Sequence, residues 1–196
     1  GAKVKFCSVL GKDSLSNLVK KEIKKSGIKD LILIDPQRPT TEKKYFISDG
    51  HRLLKVDTVE NSPIRSETLN KICNHIKKHK KGIVIFSDFR HGIFSKESIK
   101  KLKDSINKNV FKVGDSQVAS RWGNILDFSN FDLITPNERE ARFALADQDS
   151  SIRPLATKLY NKSNCKTLIF KLGSKGILTL RRKFSDRDLR SFFVID

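Results

Sequence analysis

Thr135-Pro136-Asn137-Glu138-Arg139-Glu140 is the segment of this chain whose residue types and spacing point most directly to chemistry. Pro136 ends an extended run, Asn137 is suited to cap the helix that follows, and Glu140 stands three residues later at capping-box spacing. That much is structural. The same spacing also sets an amide and a carboxylate one helical turn apart at a helix start, a pairing suited to a hydrated Mg²⁺ beside a phosphate. Three more polar clusters follow apolar runs: Ser87-Asp88 after Ile83 to Phe86, Asp115-Ser116 after Val110 to Val113, and Lys171 to Gly176 after Thr167 to Phe170. Ligands of open α/β sheets bind beyond the carboxyl ends of the strands, so these clusters imply a shared polar rim. By itself Lys171-Leu172-Gly173-Ser174-Lys175-Gly176 reads as a turn between two strands. Cys73, His75 and His79 include an i, i+4 histidine pair that could bind metal, but Lys77, Lys78, Lys80 and Lys81 disfavour a dication, and a surface helix is expected there.

The elements that must position these residues are legible from periodicity. Asp13 is placed to cap a helix bearing Leu15, Leu18, Val19 and Ile23 on one side, and Gly27 to end it. A strand is expected over Leu31 to Ile34, then a break at Asp35-Pro36-Gln37-Arg38-Pro39. Lys43 to Ser48 and Arg52 to Asp57 flank Asp49-Gly50, a strong hairpin signal because a tight primed turn needs positive φ. From Ser66 the pattern predicts a helix, strand Ile83 to Phe86, helix Ser95 to Ile106 and strand Val110 to Val113. After a less regular stretch around Trp122 it predicts strand Asp132 to Thr135, helices Glu138 to Ala146 and Ser151 to Tyr160, and strands Thr167 to Phe170 and Gly176 to Leu180. Arg181 to Arg190 reads as an exposed hairpin tip or mobile loop. Strands alternating with helices, apolar without strict alternation, indicate an α/β chain with a mostly parallel sheet covered on both faces.

The chain has 196 residues, the size of one domain, with 37% hydrophobic residues, enough for a core. No apolar run approaches the roughly 18 residues that would span a bilayer, and no secretory signal opens the sequence, so a cytoplasmic protein with no membrane partner is expected. Three cysteines without C-x-x-C spacing read as reduced thiols. Forty Lys and Arg against 22 Asp and Glu give a net charge of +18. The lysines alternate with apolar residues on helical segments such as Lys71 to Lys81, as solvated faces do, and the phenylalanines sit in strand-like runs. No nucleic-acid partner is therefore expected. There is no Met, and Gly1 to Ser8 begin inside an apolar segment, which suggests a portion of a longer polypeptide.

Taken in order, the motifs resemble those of PfkB or ribokinase-like carbohydrate kinases, and most closely the bacterial heptose-phosphate kinases. Val9-Leu10-Gly11-Lys12-Asp13 resembles the V-G-x-D segment of that family. Arg38-Pro39-Thr40-Thr41-Glu42-Lys43 through Leu53-Leu54-Lys55-Val56-Asp57 resembles the lid strands of the heptose subgroup, and Ser87-Asp88-Phe89 through Gly92 its S-D-Y-x-x-G loop. Thr135 to Glu140 is similar to T-P-N-x-x-E, and Leu172 to Gly176 to L-G-x-x-G. The resemblance implies an αβα sandwich with a small β lid over approximately residues 36–60 of a single domain, 1–196. It implies ATP and Mg²⁺ as cofactors and phosphoryl transfer to a sugar or sugar phosphate such as heptose 7-phosphate. Asn137 and Glu140 would serve the metal; Asp115, Lys171, Gly173 and Gly176 the nucleotide; Arg38, Lys43 and Arg52 the substrate; and the lid a homodimer. Two patterns of the family are missing: G-G-x-x-N, and D-x-x-G-A-G-D, which carries the catalytic base. Gly114-Asp115-Ser116-Gln117 stands where the heptose kinases tend to carry D-P-K. A noncatalytic nucleotide- or sugar-phosphate-sensing domain is the alternative, and a basic nucleic-acid-binding protein a weaker one.

Overall fold

A computed structural model describes residues 2–117, 124–182 and 189–192. The stretch around Trp122 and the tip of the Arg181 to Arg190 segment lie outside the described residues. The chain divides into two compact units: Gly1–Ile72 with His91–Ile93, and Cys73–Arg90 with Phe94–Asp196.

In the first unit, β1 (Lys5–Leu10) and β2 (Lys29–Ile34) pair in parallel around the crossover helix α1 (Ser14–Lys25). Asp13 is the fixed point. One of its carboxylate oxygens accepts the Ser16 N–H at 2.9 Å, capping α1, and also the Thr40 hydroxyl at 2.8 Å. The other accepts the Thr40 N–H at 2.8 Å. The Asp13 carboxyl is thereby held below its ordinary pKa. Gly11 lies against this junction, where a Cβ would stand 2.5 Å from the Arg38 carbonyl and 2.6 Å from the Thr40 nitrogen. β3 (Glu42–Ser48) and β4 (His51–Thr58) form the expected antiparallel hairpin, with Asp49 and Gly50 at φ 49° and 78° in the turn. Its register puts Phe46, Leu54 and Val56 on one face and Lys43, Tyr45, Lys55 and Asp57 on the other.

Helix α2 (Ser66–Lys77) runs from the first unit into the second. The second unit contains β5 (Gly82–Asp88), α3 (Lys96–Asp104), β6 (Val110–Ser116), β7 (Leu133–Ile134) and α4 (Glu138–Leu145), followed by α5 (Ile152–Ser163), β8 (Thr167–Lys171), β9 (Ile177–Arg182) and β10 (Leu189–Phe192). These strands make one six-stranded sheet in the order β10-β9-β8-β7-β6-β5. β5 to β8 are mutually parallel, and β9 and β10 continue the sheet antiparallel. β9 and β10 thus pair antiparallel, with Leu189 opposite Arg182.

One face of this sheet carries the core. Phe86, Ile134, Leu168, Phe170, Leu178 and Leu180 are buried, as are Phe128, Phe131, Leu155, Leu159 and Tyr160 from α5 and the connecting segments. Phe86, Phe128 and Phe131 meet at ring-centroid distances of 5.4–6.2 Å, mostly tilted or edge-on. On the opposite face Ile83 and Ile85 of β5 remain 66% and 65% exposed. β5 therefore alternates between buried and exposed residues, where its apolar run predicts burial on both sides. Among the described residues, no helix is long and apolar enough to cross a membrane.

Candidate functional site

Two of the four polar clusters are strand ends rather than loops. Ser87 and Asp88 close β5, Asp115 and Ser116 close β6, and the two pairs face each other in register. Alternation then sends their side chains to opposite faces. Asp88 turns into the core and Asp115 to the open side.

Asp88 is fully enclosed. Its Oδ2 stands 2.7 Å from Arg90 Nε, its Oδ1 accepts the Arg90 N–H at 2.7 Å, and Arg90 donates from Nη2 to Asp127 at 2.6 Å. Burial raises the Asp88 pKa, and the Arg90 charge opposes that rise. Arg90 itself adopts φ 56°, a conformation uncommon for a side-chain-bearing residue. Of the Ser87-Asp88 cluster, Asp88 is thus a buried ionic anchor, while Ser87 lies opposite Asp115 on the exposed face.

Asp115 gathers the neighbouring strand tips. Its Oδ1 accepts the Thr135 hydroxyl at 2.6 Å and the Lys171 ammonium at 2.8 Å. Thr135 follows β7 and Lys171 ends β8, so one carboxylate oxygen ties together three adjacent strands. The backbone holds the same arrangement: Thr135 N–H donates to the Gly114 carbonyl at 3.2 Å and Lys171 N–H to the Pro136 carbonyl at 2.8 Å. Gly114 is required for it, because a Cβ there would lie 2.8 Å from the Phe128 side chain. The Asp115 and Lys171 side chains are 32% and 41% exposed, so the pair is reachable from solvent.

At the start of α4 the capping box forms as its spacing predicts. Asn137 Oδ1 accepts the Glu140 N–H at 2.9 Å, while Glu140 accepts the Asn137 N–H and its Nδ2 amide, both at 2.8 Å. Glu140 is 2% exposed, and burial raises its pKa; the Lys171 charge pulls it back down and Asp115 pushes it up. A single ammonium therefore sits in the field of two carboxylates. The Lys171-to-Gly176 segment closes as a 3₁₀ turn, with Leu172 N–H donating to the Gly176 carbonyl at 2.9 Å. Gly173 and Gly176 take φ 64° and 85°, and a Cβ on Gly173 would meet open space. Glycine here answers to backbone conformation.

The donor set, carboxylate, amide and hydroxyl oxygens, is the hard-oxygen kind that Mg²⁺ takes. Among the described residues, no three His, Cys, Asp or Glu side chains converge into a metal cage. That chemistry fits an ion held by one or two carboxylates, by water and by substrate phosphates. The second unit thus contains Asp115, Asn137, Glu140, Lys171, Gly173 and Gly176, with Asp115, Lys171 and Glu140 electrostatically coupled. Thr135 is the member of this cluster that its motif position alone did not single out.

The residues expected at the substrate all belong to the first unit. Arg38 has a side chain only 7% exposed, lies 3.6 Å from Asp35, and donates to the His91 and Ser62 carbonyls at 3.1 and 2.9 Å. It is engaged in holding the chain around Gly92. Lys43 is exposed on β3, and Arg52 of β4 stacks 4.4 Å over the Tyr45 ring.

The profile of the pfkB family carbohydrate kinases matches residues 1–189. The chain belongs to this family. Its curated relatives include bifunctional HldE proteins of Nitratiruptor sp., 26% identical over 182 residues, and of Campylobacter curvus, 27% identical over 183. Each alignment covers 90% of this chain and 38% of the relative. The pfkB-family chain thus spans about two-fifths of the length of these relatives. Among solved structures, ribokinase from Giardia lamblia superposes with a TM-score of 0.71 at 18% identity, over 96% of this chain and 57% of that one. Phosphofructokinase-2 from Escherichia coli in complex with substrates and products gives 0.73 at 12%, over 93% and 60%. The fold is the α/β ribokinase-like one.

Proposed function

We propose that the chain acts in ATP-dependent transfer of a phosphoryl group to a hydroxyl of a sugar or sugar phosphate, with heptose 7-phosphate as the first substrate to try. The observation that carries this reading is the convergence of Asp115, Thr135 and Lys171 at three strand tips, beside a buried, capped Glu140. Phosphoryl transfer asks a protein chiefly to position its reactants and neutralise charge. Lys171 would meet phosphate oxygens in exchange for part of its contact with Asp115. Asn137 and Glu140 would hold Mg²⁺ through water, and the ion would supply charge neutralisation between phosphate groups. Gly173 and Gly176 would border the nucleotide with backbone alone. Lys43 and Arg52 present cations suited to an anionic sugar phosphate. Membership of the pfkB family and the likeness to bifunctional HldE proteins support the reaction class and the heptose choice.

The sequence contains no D-x-x-G-A-G-D, and no residue of it is assigned as the general base. The same observation favours a second reading, a domain that binds nucleotide without turning it over. Thermal unfolding with Mg·ATP and a coupled ADP-release assay over phosphorylated heptoses and hexoses separate the two. Stabilisation with turnover supports the kinase, and stabilisation without turnover the sensing domain. If Mg·ATP leaves the midpoint where ATP with a chelator leaves it, both readings fail.

A further inference from the structure

We infer that His75 and His79 form a two-imidazole site for a borderline divalent transition ion such as Zn²⁺, Ni²⁺ or Cu²⁺, separate from any Mg²⁺ used in phosphoryl transfer. The Nε2 atoms of the two rings stand 3.4 Å apart, with the rings at 64°. A ring N–H donating to a ring nitrogen is weak beyond about 3.2 Å, so the contact is a poor hydrogen bond. The same separation suits two ligands of one ion. With metal–nitrogen bonds of about 2.0–2.1 Å, the edge of a tetrahedron is roughly 3.3–3.4 Å.

The geometry is built by the end of α2. Leu69, Ile72, Cys73 and Ile76 are buried and fix the helix, so His75 presents from a seated element. Beyond Lys77 the chain tightens into i→i+3 hydrogen bonds, Lys78 N–H to the His75 carbonyl at 3.2 Å and His79 N–H to the Ile76 carbonyl at 2.9 Å. That turn swings the His79 ring over His75. Both rings are half-buried, which limits the freedom a metal would have to freeze out.

The lysines weigh against a cation, but Lys77, Lys78 and Lys80 are exposed and therefore screened by solvent. The carbonyl end of α2 supplies partial negative charge in partial compensation. Imidazole nitrogen selects zinc, nickel and copper over magnesium, which prefers oxygen. Both rings must carry their proton on Nδ1 when Nε2 binds. Among the described residues no third His, Cys, Asp or Glu completes a cluster, so water or an exogenous ligand fills the remaining positions.

Titration of the whole chain with Zn²⁺ in excess Mg²⁺, followed by calorimetry, tests this. One saturable site per chain is expected, weakened by at least about tenfold in both His75→Ala and His79→Ala. Cu²⁺ added to the unsubstituted chain should give an electron paramagnetic resonance signal split by two imidazole nitrogens, a readout that depends on no variant's folding. Absence of saturable binding overturns the proposal, as does unchanged binding in the doubly substituted chain or a copper signal with fewer than two nitrogens. None of these readouts depends on phosphoryl transfer.

Discussion

Lys171 is the residue on which the candidate site turns, since one ammonium acts on both Asp115 and Glu140. The pair it makes with Asp115 is partly solvated, and such pairs contribute only about 0–1 kcal/mol to folding. Lys171→Met should therefore leave the unfolding midpoint nearly in place. If the kinase reading holds, phosphoryl transfer should fall by about 10²-fold, as when a charge-stabilising donor is removed from an active site. A large loss of stability with unaltered turnover would assign Lys171 to the scaffold. Arg90 behaves in the opposite way, because its partner Asp88 has no solvent to fall back on. The Asp88 pKa is raised in the folded chain, so between its ordinary value of 3.8 and that raised value the folded state holds more protons than the unfolded one. Stability then declines as pH climbs through that window, and the burial penalty is complete above it. Arg90→Met removes the charge that limits the rise. It should cost about 3–5 kcal/mol near pH 7 and clearly less near pH 4, where folded Asp88 can stay protonated. Urea unfolding at the two pH values checks this, and equal losses would contradict it.

Among the elements, β6 shows how packing and chemistry share one strand. Its inward Gly114 lets the Phe128 ring approach, and its outward Asp115 receives Thr135 and Lys171. Gly114→Ala overpacks that contact and should cost about 1–3 kcal/mol in denaturant unfolding. Because the displaced strand carries Asp115, nucleotide affinity should weaken in the same variant, and a loss of stability with affinity untouched would separate the two roles. The capping box at α4 was legible from spacing, as local hydrogen bonds between i and i+3 follow from backbone geometry. The β3–β4 hairpin was legible for a related reason: Asp-Gly selects its turn without help from the rest of the chain.

At the scale of the whole molecule, the hairpin leaves Phe46 and Leu54 opposite each other in register, 52% and 54% exposed. We propose this ribbon face as the place where two copies of the chain would associate, the homodimer that the family resemblance implies. Phe46→Lys with Leu54→Lys should halve the mass in sedimentation while circular dichroism stays unchanged; a native chain that sediments as a monomer removes the dimer proposal. The order of elements from α1 to β9, the Asp13 and Asn137 caps, the hairpin and the family resemblance were legible in the sequence, since periodicity, turn chemistry and motif order are local properties, whereas the strands β1 and β10 were not singled out. Three things were decided only by tertiary structure. Asp88 is an anchor while Asp115 belongs to the candidate site, because strand pairing sets which face each side chain takes. Arg38 is engaged with Asp35 and backbone carbonyls, because residues far along the chain close around it. Lys171, which its own segment reads as part of a turn and the resemblance assigns to the nucleotide, holds Asp115 because β7 lies between β8 and β6, a neighbourhood that no local pattern encodes.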